Sequence, residues 1–221
     1  AEVVAGDADV PASLDAAFAG AYGVFVVTNF WEHMSTEREI AQATALARAT
    51  KAAGVEHVVW STLEDTRTSV PLSDERMPTL QDKYNVPHFD AKGEADAVFV
   101  AEQVPVTWLK VAFYWENFIY FGQGPHTSPD GSLVLALPLG GGKLPGIAVA
   151  DVGKVAYGIF TTGTSLVGET TITGTATGAF AGGKPTLSGN IATPLLHLSD
   201  LLKLSSINSV YQANVDEQDV D

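Results

Sequence analysis

Short apolar runs alternate with longer segments of helical period over the first half of the chain. The run 23–29 is almost wholly apolar, which is typical of a strand buried on both faces. A helical period begins near Thr36 and ends at Gly54, and Thr36 and Glu39 have the spacing of a capping box. The run 57–61 then has the length and composition of a second buried strand.

A long polar stretch, 64–87, separates these elements from the next helix and strand. Its length predicts either a lid or substrate loop, or disorder. The pattern then predicts a helix over 88–103, with Pro87 at its entry, and a strand over 106–111. A short strand at Val3–Val4 precedes all of them. Strands that alternate with helices indicate βαβ units and a parallel sheet, which is an α/β fold.

The pattern changes after Asn117, where regular alternation stops. A turn at 129–131 leads into a predicted strand over 133–137. Asp151 is then placed to cap a helix over 152–160. The rest of the chain is dominated by small and polar residues and has no helical period.

Composition excludes several classes of function. The chain has 221 residues, of which 46% are hydrophobic, enough for a substantial core. Its net charge of −14 disfavours direct binding of DNA or RNA, which needs a basic surface to displace counterions. No apolar run reaches the roughly 18 residues of a membrane span, and the lack of cysteine excludes disulfides. These features favour a cytoplasmic protein, with the nucleus as the alternative location.

Ser61, His88 and Lys92 together resemble the centre of short-chain reductases. In those enzymes a strand-end serine precedes a helix with Tyr-x-x-x-Lys, whose phenol donates a proton and whose lysine holds the nicotinamide ribose. Here Lys92 is in place, but His88 stands at the tyrosine position, one helical turn earlier on the same face. His88 is a weak candidate for a general acid, because imidazole titrates near neutrality. A polar residue at a helix start is the alternative.

Other motifs add no further site. The five histidines form no paired metal-ligand motif. Gly140–Lys143 lacks the spacing and the hydroxyl of a P-loop. The glycines within 173–183 recur every fourth residue, unlike the G-x-G-x-x-G fingerprint, so a dinucleotide loop of a permuted chain is only a minor alternative there.

Five segments carry a resemblance to the NmrA-like family of atypical short-chain dehydrogenases. They are residues 21–32, 58–64, 88–94, 113–117 and 130–153. Their order and spacing extend the resemblance over residues 1–160. It implies a Rossmann-like parallel sheet with helices on both faces and with NADP or NAD at the carboxyl ends of the strands.

The resemblance also implies which residues contact the dinucleotide. They are Asp7, Ala8, Thr28, Asn29, Phe30, Ser61, Lys92, Tyr114, Trp115, Glu116 and Asn117. The first two would lie near the adenine, the next three along the dinucleotide, Lys92 at the ribose and the last four over the nicotinamide end. Structural roles are the alternatives: a strand-end cap for Thr28 and Asn29, a solvated helix position for Lys92, and core packing for Tyr114 and Trp115.

The chain departs from the family pattern at its start. The family begins with a strand, a Gly-rich loop and a helix, then a second strand, and none of these precedes Ala1. We therefore expect a Rossmann-like domain without its first two strands over 1–120, a small substrate or partner subdomain over 121–175, and an irregular, poorly ordered tail over 176–221. Because the Gly-rich loop supplies the N–H groups that hold the pyrophosphate, weak or absent cofactor binding is expected.

Three functional hypotheses follow from the resemblance. The leading one is a redox sensor and transcriptional regulator that acts through a protein partner, without direct nucleic-acid or membrane contact. The second is an atypical NAD(P)H-dependent reductase of a small molecule, similar to quinone or isoflavone reductases. The third is a truncated, non-functional product. Self-association is a further expectation, because the apolar Val24 strand would have a free edge.

Overall fold

The computed structural model describes residues 3–111, 113–137, 139, 144, 146–167, 173–181 and 184–192. These residues form two compact units. Among them, the first unit comprises the residues up to Lys110 and from Ile159 to Val167, and the second comprises those from Val111 to Gly158 and from Thr173 to Ala192. None of the helices in these ranges is long and apolar enough to cross a membrane.

A three-stranded parallel sheet is the centre of the first unit. Its strands are β1 (Gly23–Val26), β2 (His57–Thr62) and β3 (Val106–Lys110), in the order β1-β2-β3. The register sets Val26 beside Trp60, and Trp60 beside Trp108. All six residues of β2 are buried, as expected for the central strand of a parallel sheet. The predicted α/β fold with a parallel sheet is therefore confirmed.

Helices cover both faces of this sheet. The helices of the first unit are α1 (Leu14–Phe18), α2 (Phe30–His33), α3 (Thr36–Ala52) and α4 (Pro87–Ala101). One face packs against α3 and α4 through a buried apolar cluster. Its members are Val26, Ala43, Ala47, Val55, Val58, Trp60, Ala95, Phe99, Val104 and Val106.

The second face of the sheet packs against the chain from Ile159 onward. The Phe160 ring lies 5.5 Å from the His57 ring, and the Thr107 hydroxyl donates to the Leu166 carbonyl oxygen at 2.6 Å. Gly23 leaves room for this packing, because a Cβ there would lie 2.7 Å from the Phe160 ring. The first unit is therefore a layered α/β structure.

Two sequence predictions, one for the strand at Val3–Val4 and one for the cap of α3, are wrong. Val3–Val4 is not a strand, because no described strand pairs with it; the chain instead forms an isolated bridge between Asp7 and Val10. The N-cap of α3 is Ser35, not Thr36, since the Ser35 hydroxyl oxygen accepts from the Arg38 N–H at 3.2 Å. Glu39 is therefore not part of a capping box.

The polar stretch before α4 folds along that helix. It contains a short 3₁₀ helix, Thr66–Thr68, and is tied down at both ends by the buried Asp90 carboxylate. One carboxylate oxygen accepts from the Thr66 N–H and hydroxyl at 2.8 and 2.6 Å. The other accepts from the N–H groups of Asn85 and Val86 at 2.8 and 3.0 Å. This loop therefore has a defined path instead of being disordered; its role as a lid stays a prediction.

The second unit contains small two-stranded sheets. In the first sheet, β4 (Phe113–Tyr114) pairs in parallel with β7 (Gly146–Ile147). In the second, β5 (His126–Thr127) pairs antiparallel with β6 (Leu133–Val134). The strand predicted over 133–137 is thus only two residues long. Between β5 and β6 the chain turns at Gly131, whose φ of 83° suits glycine.

Two helices belong to this part of the chain. They are α5 (Asn117–Tyr120) and α6 (Val149–Thr162), which passes into the first unit at Ile159. Since α6 starts earlier than predicted, Asp151 lies in its first turn instead of capping it. The Asp151 carboxylate accepts from Lys154 Nζ at 2.8 Å.

An antiparallel hairpin of β8 (Thr173–Ala181) and β9 (Lys184–Ala192) follows. The prediction of an irregular chain from residue 176 is therefore wrong as far as residue 192. The many threonines of these two segments favour strand. The same pairing excludes the dinucleotide loop considered for 173–183. Residues 140–143 and the acidic end of the chain lie outside the described residues.

Candidate functional site

Lys92 and Thr28 meet at the carboxyl end of β1. Thr28 lies two residues beyond that strand, and Lys92 reaches it from α4. The Lys92 ammonium donates to the Thr28 hydroxyl oxygen at 2.6 Å and to the Thr28 carbonyl oxygen at 3.1 Å. The structure thus brings together two residues that the family resemblance assigns to the dinucleotide.

Glu39 completes this arrangement, although the sequence analysis gave it only a capping role. Its Oε1 lies 2.8 Å from Lys92 Nζ and accepts from the Thr28 hydroxyl at 2.5 Å. Glu39 is fully buried, and Ala43 and Ala47 follow it at spacings of four on the apolar face of α3. The sequence does contain a signal for this role: a carboxylate on the apolar face of a helix is buried, and a buried charge needs a partner of opposite charge.

An ammonium group has three N–H donors. Those of Lys92 are directed to the two oxygens of Thr28 and to Glu39, and the group also lies 5.0 Å from the centre of the Trp60 ring. Burial lowers the pKa of Lys92, while the Glu39 carboxylate opposes that shift. In this arrangement Lys92 has no donor left for a ribose.

His33 approaches Glu39 from α2. Its Nδ1 accepts from the Ser35 N–H at 3.1 Å, which leaves Nε2 as the ring nitrogen directed at Glu39. Nε2 lies 3.4 Å from Glu39 Oε2, and neither atom has a hydrogen-bond partner among the described residues. The imidazole therefore faces the carboxylate at slightly more than hydrogen-bond length and extends the buried array from Lys92 to α2.

Asp96 lies one helical turn after Lys92 on α4. Its Oδ1 accepts from the Trp60 indole N–H at 2.8 Å and from the Thr62 hydroxyl at 2.6 Å. Burial raises the pKa of Asp96 to about 6, against the opposing effect of these two hydrogen bonds. Asp96 is a second titratable group near Lys92 that the sequence analysis did not single out. Ser61, at the end of β2, is buried beside Thr62 in the chain.

His88 belongs to an aromatic cluster at the start of α4. Its ring lies 4.6 Å from that of Trp31, 4.9 Å from that of Phe89 and 5.9 Å from that of Phe30. Burial lowers the pKa of His88, although Asp90 raises it, so the imidazole is neutral at pH 7. A neutral, ring-packed imidazole replaces the phenol of the reductase pattern.

Asp7 and Ala8 lie in a turn of the first unit. The Asp7 carboxylate accepts from the Asp9 N–H at 2.8 Å, which fixes the turn. The Asp9 carboxylate in turn accepts from Arg38 Nε at 3.0 Å and from the Gln42 amide at 3.1 Å. The contact of Asp7 and Ala8 with an adenine stays a prediction.

The remaining four predicted residues, Tyr114 to Asn117, belong to the second unit. The Trp115 ring stacks on Phe118 at 6.0 Å, and the Glu116 carboxylate accepts from the Val149 N–H at 3.0 Å, at the start of α6. Burial raises the pKa of Tyr114. These contacts give Trp115 and Glu116 structural roles, and their predicted position over a nicotinamide stays a prediction.

The residues fit a bound dinucleotide only in part. Thr28, Asn29 and Phe30 lie at the carboxyl edge of a parallel sheet, where such folds bind nucleotides. Against this, the donors of Lys92 are used internally, and the sequence contains no G-x-G-x-x-G loop for a pyrophosphate. A contact between Lys92 and a ribose stays a prediction, and it would require Lys92 to release one of these internal partners.

Known proteins with related folds include regulators and reductases. The crystal structure of NmrA, a negative transcriptional regulator, is 25% identical over 76% of this chain and 49% of that chain, with a TM-score of 0.62. NmrA in complex with NADP is 25% identical over 73% of this chain and 47% of that chain, with a TM-score of 0.60. The triphenylmethane reductase of Citrobacter sp. is 20% identical over 72% of this chain and 49% of that chain, with a TM-score of 0.53, and shows the fold alone.

The chain spans about half the length of these solved structures. A family model described as the NmrA-like family matches residues 1–177, which is most of the sequence. The chain therefore belongs to the NmrA-like family.

Proposed function

We propose that this protein is a redox sensor and transcriptional regulator that acts through protein contacts. The observation that carries the proposal is the internal use of the Lys92 ammonium by Thr28 and Glu39. A reductase of the Tyr-x-x-x-Lys type needs that lysine at the ribose and a phenol one turn earlier. Here the lysine is buried, and His88 packs among aromatic rings instead.

A nicotinamide nucleotide is the signal that fits this proposal. One relative of the same family is a negative transcriptional regulator whose structure contains NADP. In this chain, Thr28, Asn29 and Phe30 would line the nucleotide, while Lys92 would act indirectly by fixing the backbone at Thr28. NADP and NAD are equally compatible with these residues, and cytoplasm or nucleus is the proposed location.

An atypical reductase is the second candidate. It is favoured by the position of His88, one helical turn before Lys92 on α4, where the reductase pattern has its proton donor. The substrate would be a small molecule such as a quinone. This candidate requires the nucleotide to bind without the usual ribose contact from Lys92.

The test is NADPH oxidation in the presence of a quinone, measured for the parent chain and for His88→Ala. Calorimetric titration with NADPH and NADH precedes the assay, which uses nucleotide on the order of millimolar because weak binding is expected. The regulator proposal expects no turnover by the parent above the uncatalysed rate. Turnover that is lost in His88→Ala would instead favour the reductase.

The same titration checks the cofactor expectation for this chain. Without a pyrophosphate loop in the sequence, dissociation constants should lie on the order of millimolar, or binding should be undetectable. A micromolar constant for either nucleotide would contradict this expectation.

A further inference from the structure

Two large apolar side chains are exposed at the helix that follows β1. Trp31 lies on α2 and has 62% of its surface exposed, and Met34, directly after α2, has 57% exposed. Trp31 and Met34 are three positions apart in the chain, and the Met34 N–H closes the turn between them on the Phe30 carbonyl oxygen. Tryptophan is highly buried on average in folded proteins, so its exposure beside a second apolar residue marks a candidate contact surface.

The scaffold beneath Trp31 is well packed. The buried Phe30 meets the Trp31 ring edge-on at 5.8 Å, and His88 supports it at 4.6 Å. Met34 ends the helix in the left-handed region, with φ of 55°, and its N–H donates to the Phe30 carbonyl at 2.7 Å. The Trp31 ring, held by these contacts, loses little side-chain entropy when a partner binds.

The charges around α2 favour a cationic partner. Glu32, next to Trp31, is exposed and has no ion-pair partner among the described residues. The nearby cation, Arg38, is already held by Asp9 through its Nε at 3.0 Å and its terminal nitrogen. The chain as a whole carries a net charge of −14, which attracts basic segments over a longer range.

We infer that Trp31 and Met34 form a docking surface for a basic segment of a partner protein, with an arginine stacked on the Trp31 indole. Arginine prefers tryptophan among aromatic faces, and both residue types are enriched where interfaces gain most of their affinity. Met34 gives an adaptable apolar contact beside it. This inference rests on the proposed function, since it specifies the surface through which a regulator would meet its partner.

The test uses a fluorescein-labelled nine-residue peptide that contains three arginines and two leucines. Its anisotropy is titrated with the parent chain and with Trp31→Ala, a change that leaves the net charge unaltered. Loss of the stacking contact should weaken binding roughly tenfold. Tyr120→Ala removes an aromatic ring of the other unit that is more exposed, at 73%, and should leave the affinity unchanged.

A peptide with citrulline in place of arginine separates the cation from the shape of the side chain. It should bind much more weakly than the arginine peptide to the parent. Equal affinity of the parent and Trp31→Ala would overturn the inference and would indicate attraction by net charge alone. So would a citrulline peptide that binds as well as the arginine peptide, or the absence of saturable binding by the parent.

Thermal unfolding of Trp31→Ala verifies that the variant is folded, which is expected for an exposed position. Failure of the peptide test is distinguishable from failure of the proposed function. Quinone turnover would reject the regulator proposal, whatever the peptide result. If NADPH displaces the bound peptide, the surface belongs to the nucleotide site, and the inference is again overturned.

Discussion

Lys92 and Glu39 form an ion pair of 2.8 Å in which Glu39 has no exposed side-chain surface and Lys92 has 10%. The pair connects α3 to α4 at the point where the chain leaves β1, and Thr28 contacts both partners. Removing charges from water is costly, so such a pair contributes little net stability. Its main effect appears when one partner is removed, because the remaining buried charge is then left without an opposite charge.

Single substitutions should therefore be much more harmful than the double substitution. Lys92→Met leaves a buried carboxylate without its cation, and we expect it to lower the free energy of unfolding by roughly 3–5 kcal/mol. Glu39→Gln should have a similar effect. The double variant should recover part of the loss, so the sum of the two single effects should exceed the double effect. Urea unfolding of all four proteins measures this.

The exposed pair of Lys110 and Glu64 is the control for this cycle. Its two atoms lie 3.2 Å apart, but Glu64 is largely in solvent. Glu64→Gln should therefore change the free energy of unfolding by no more than about 1 kcal/mol. If the effects of Lys92→Met and Glu39→Gln simply add, the two residues do not depend on each other and the interpretation of the pair is wrong.

Asp96 should make the stability depend on pH in an unusual direction. Its pKa in the folded chain is about 6, above the ordinary value of 3.8. As the pH rises, the unfolded chain therefore loses this proton at a lower pH than the folded chain does. The contribution of Asp96 to the free energy of unfolding is therefore fully present below pH 3.8 and is lost as the pH rises through about 6. A difference of about two pKa units corresponds to roughly 3 kcal/mol.

Asp96→Asn should remove that loss of stability, because an amide does not titrate. Its side-chain oxygen can still accept from Trp60 and Thr62. Relative to the parent, the variant should become more stable as the pH is raised from about 4 to 7. Urea unfolding at several pH values measures the difference. Asp15→Asn, at an exposed position of α1, is the control and should follow the parent. Parallel curves for Asp96→Asn and the parent would show that the burial of Asp96 does not raise its pKa.

Gly93 should be intolerant of a side chain because the loop before α4 passes directly over it. A Cβ on Gly93 would lie 2.6 Å from the Asp65 backbone nitrogen, closer than real contacts allow. Gly93→Ala should therefore displace the loop and cost roughly 1–3 kcal/mol. Hydrogen exchange should become faster in the loop between Thr66 and Val86, which Asp90 otherwise holds.

Gly153 provides a matched comparison within α6. A Cβ on Gly153 would meet nothing within 4 Å. Gly153→Ala should therefore stabilise the chain by roughly 0.5–1 kcal/mol, through the helix preference of alanine alone. If Gly93→Ala behaved like Gly153→Ala, the loop would not be packed on α4 as the structure describes.

Hydrophobic period was sufficient to predict the sheet of the first unit but not its polar interior. The strands at Val24, Val58 and Val106 and the helices between them follow from apolar runs and from Gly and Pro signals. Glu39 was misassigned because local spacing suggested a cap, whereas its partner Lys92 is 53 residues away in the sequence. Pairings over such distances depend on how helices pack, which no local pattern encodes.

Short elements were predicted less well. Val3–Val4 has strand composition, but a strand exists only when a neighbour pairs with it, and none of the described strands does so. The hairpin of β8 and β9 was missed because its threonine, glycine and alanine composition lacks an apolar alternation. His33 and Asp96 carried no motif, and their place near Lys92 is set by tertiary packing.

The last prediction concerns the edge of the parallel sheet. β1 pairs with β2 on one side, and no strand among the described residues pairs with its other side. An apolar edge of this kind is a template for pairing with another chain, so we expect self-association. Size-exclusion chromatography with light scattering, at several concentrations, should give masses above the 23.2 kDa of the monomer.

A charge beside the edge should suppress this association. Val27 follows β1 directly and is exposed, so Val27→Lys should shift the protein towards monomer without disturbing the core. Val100→Lys introduces the same charge at an exposed position of α4, away from the edge, and should leave the association unchanged. Equal suppression by both variants would implicate net charge instead of the edge. A parent that is monomeric at every concentration would show that β1 does not recruit a second chain.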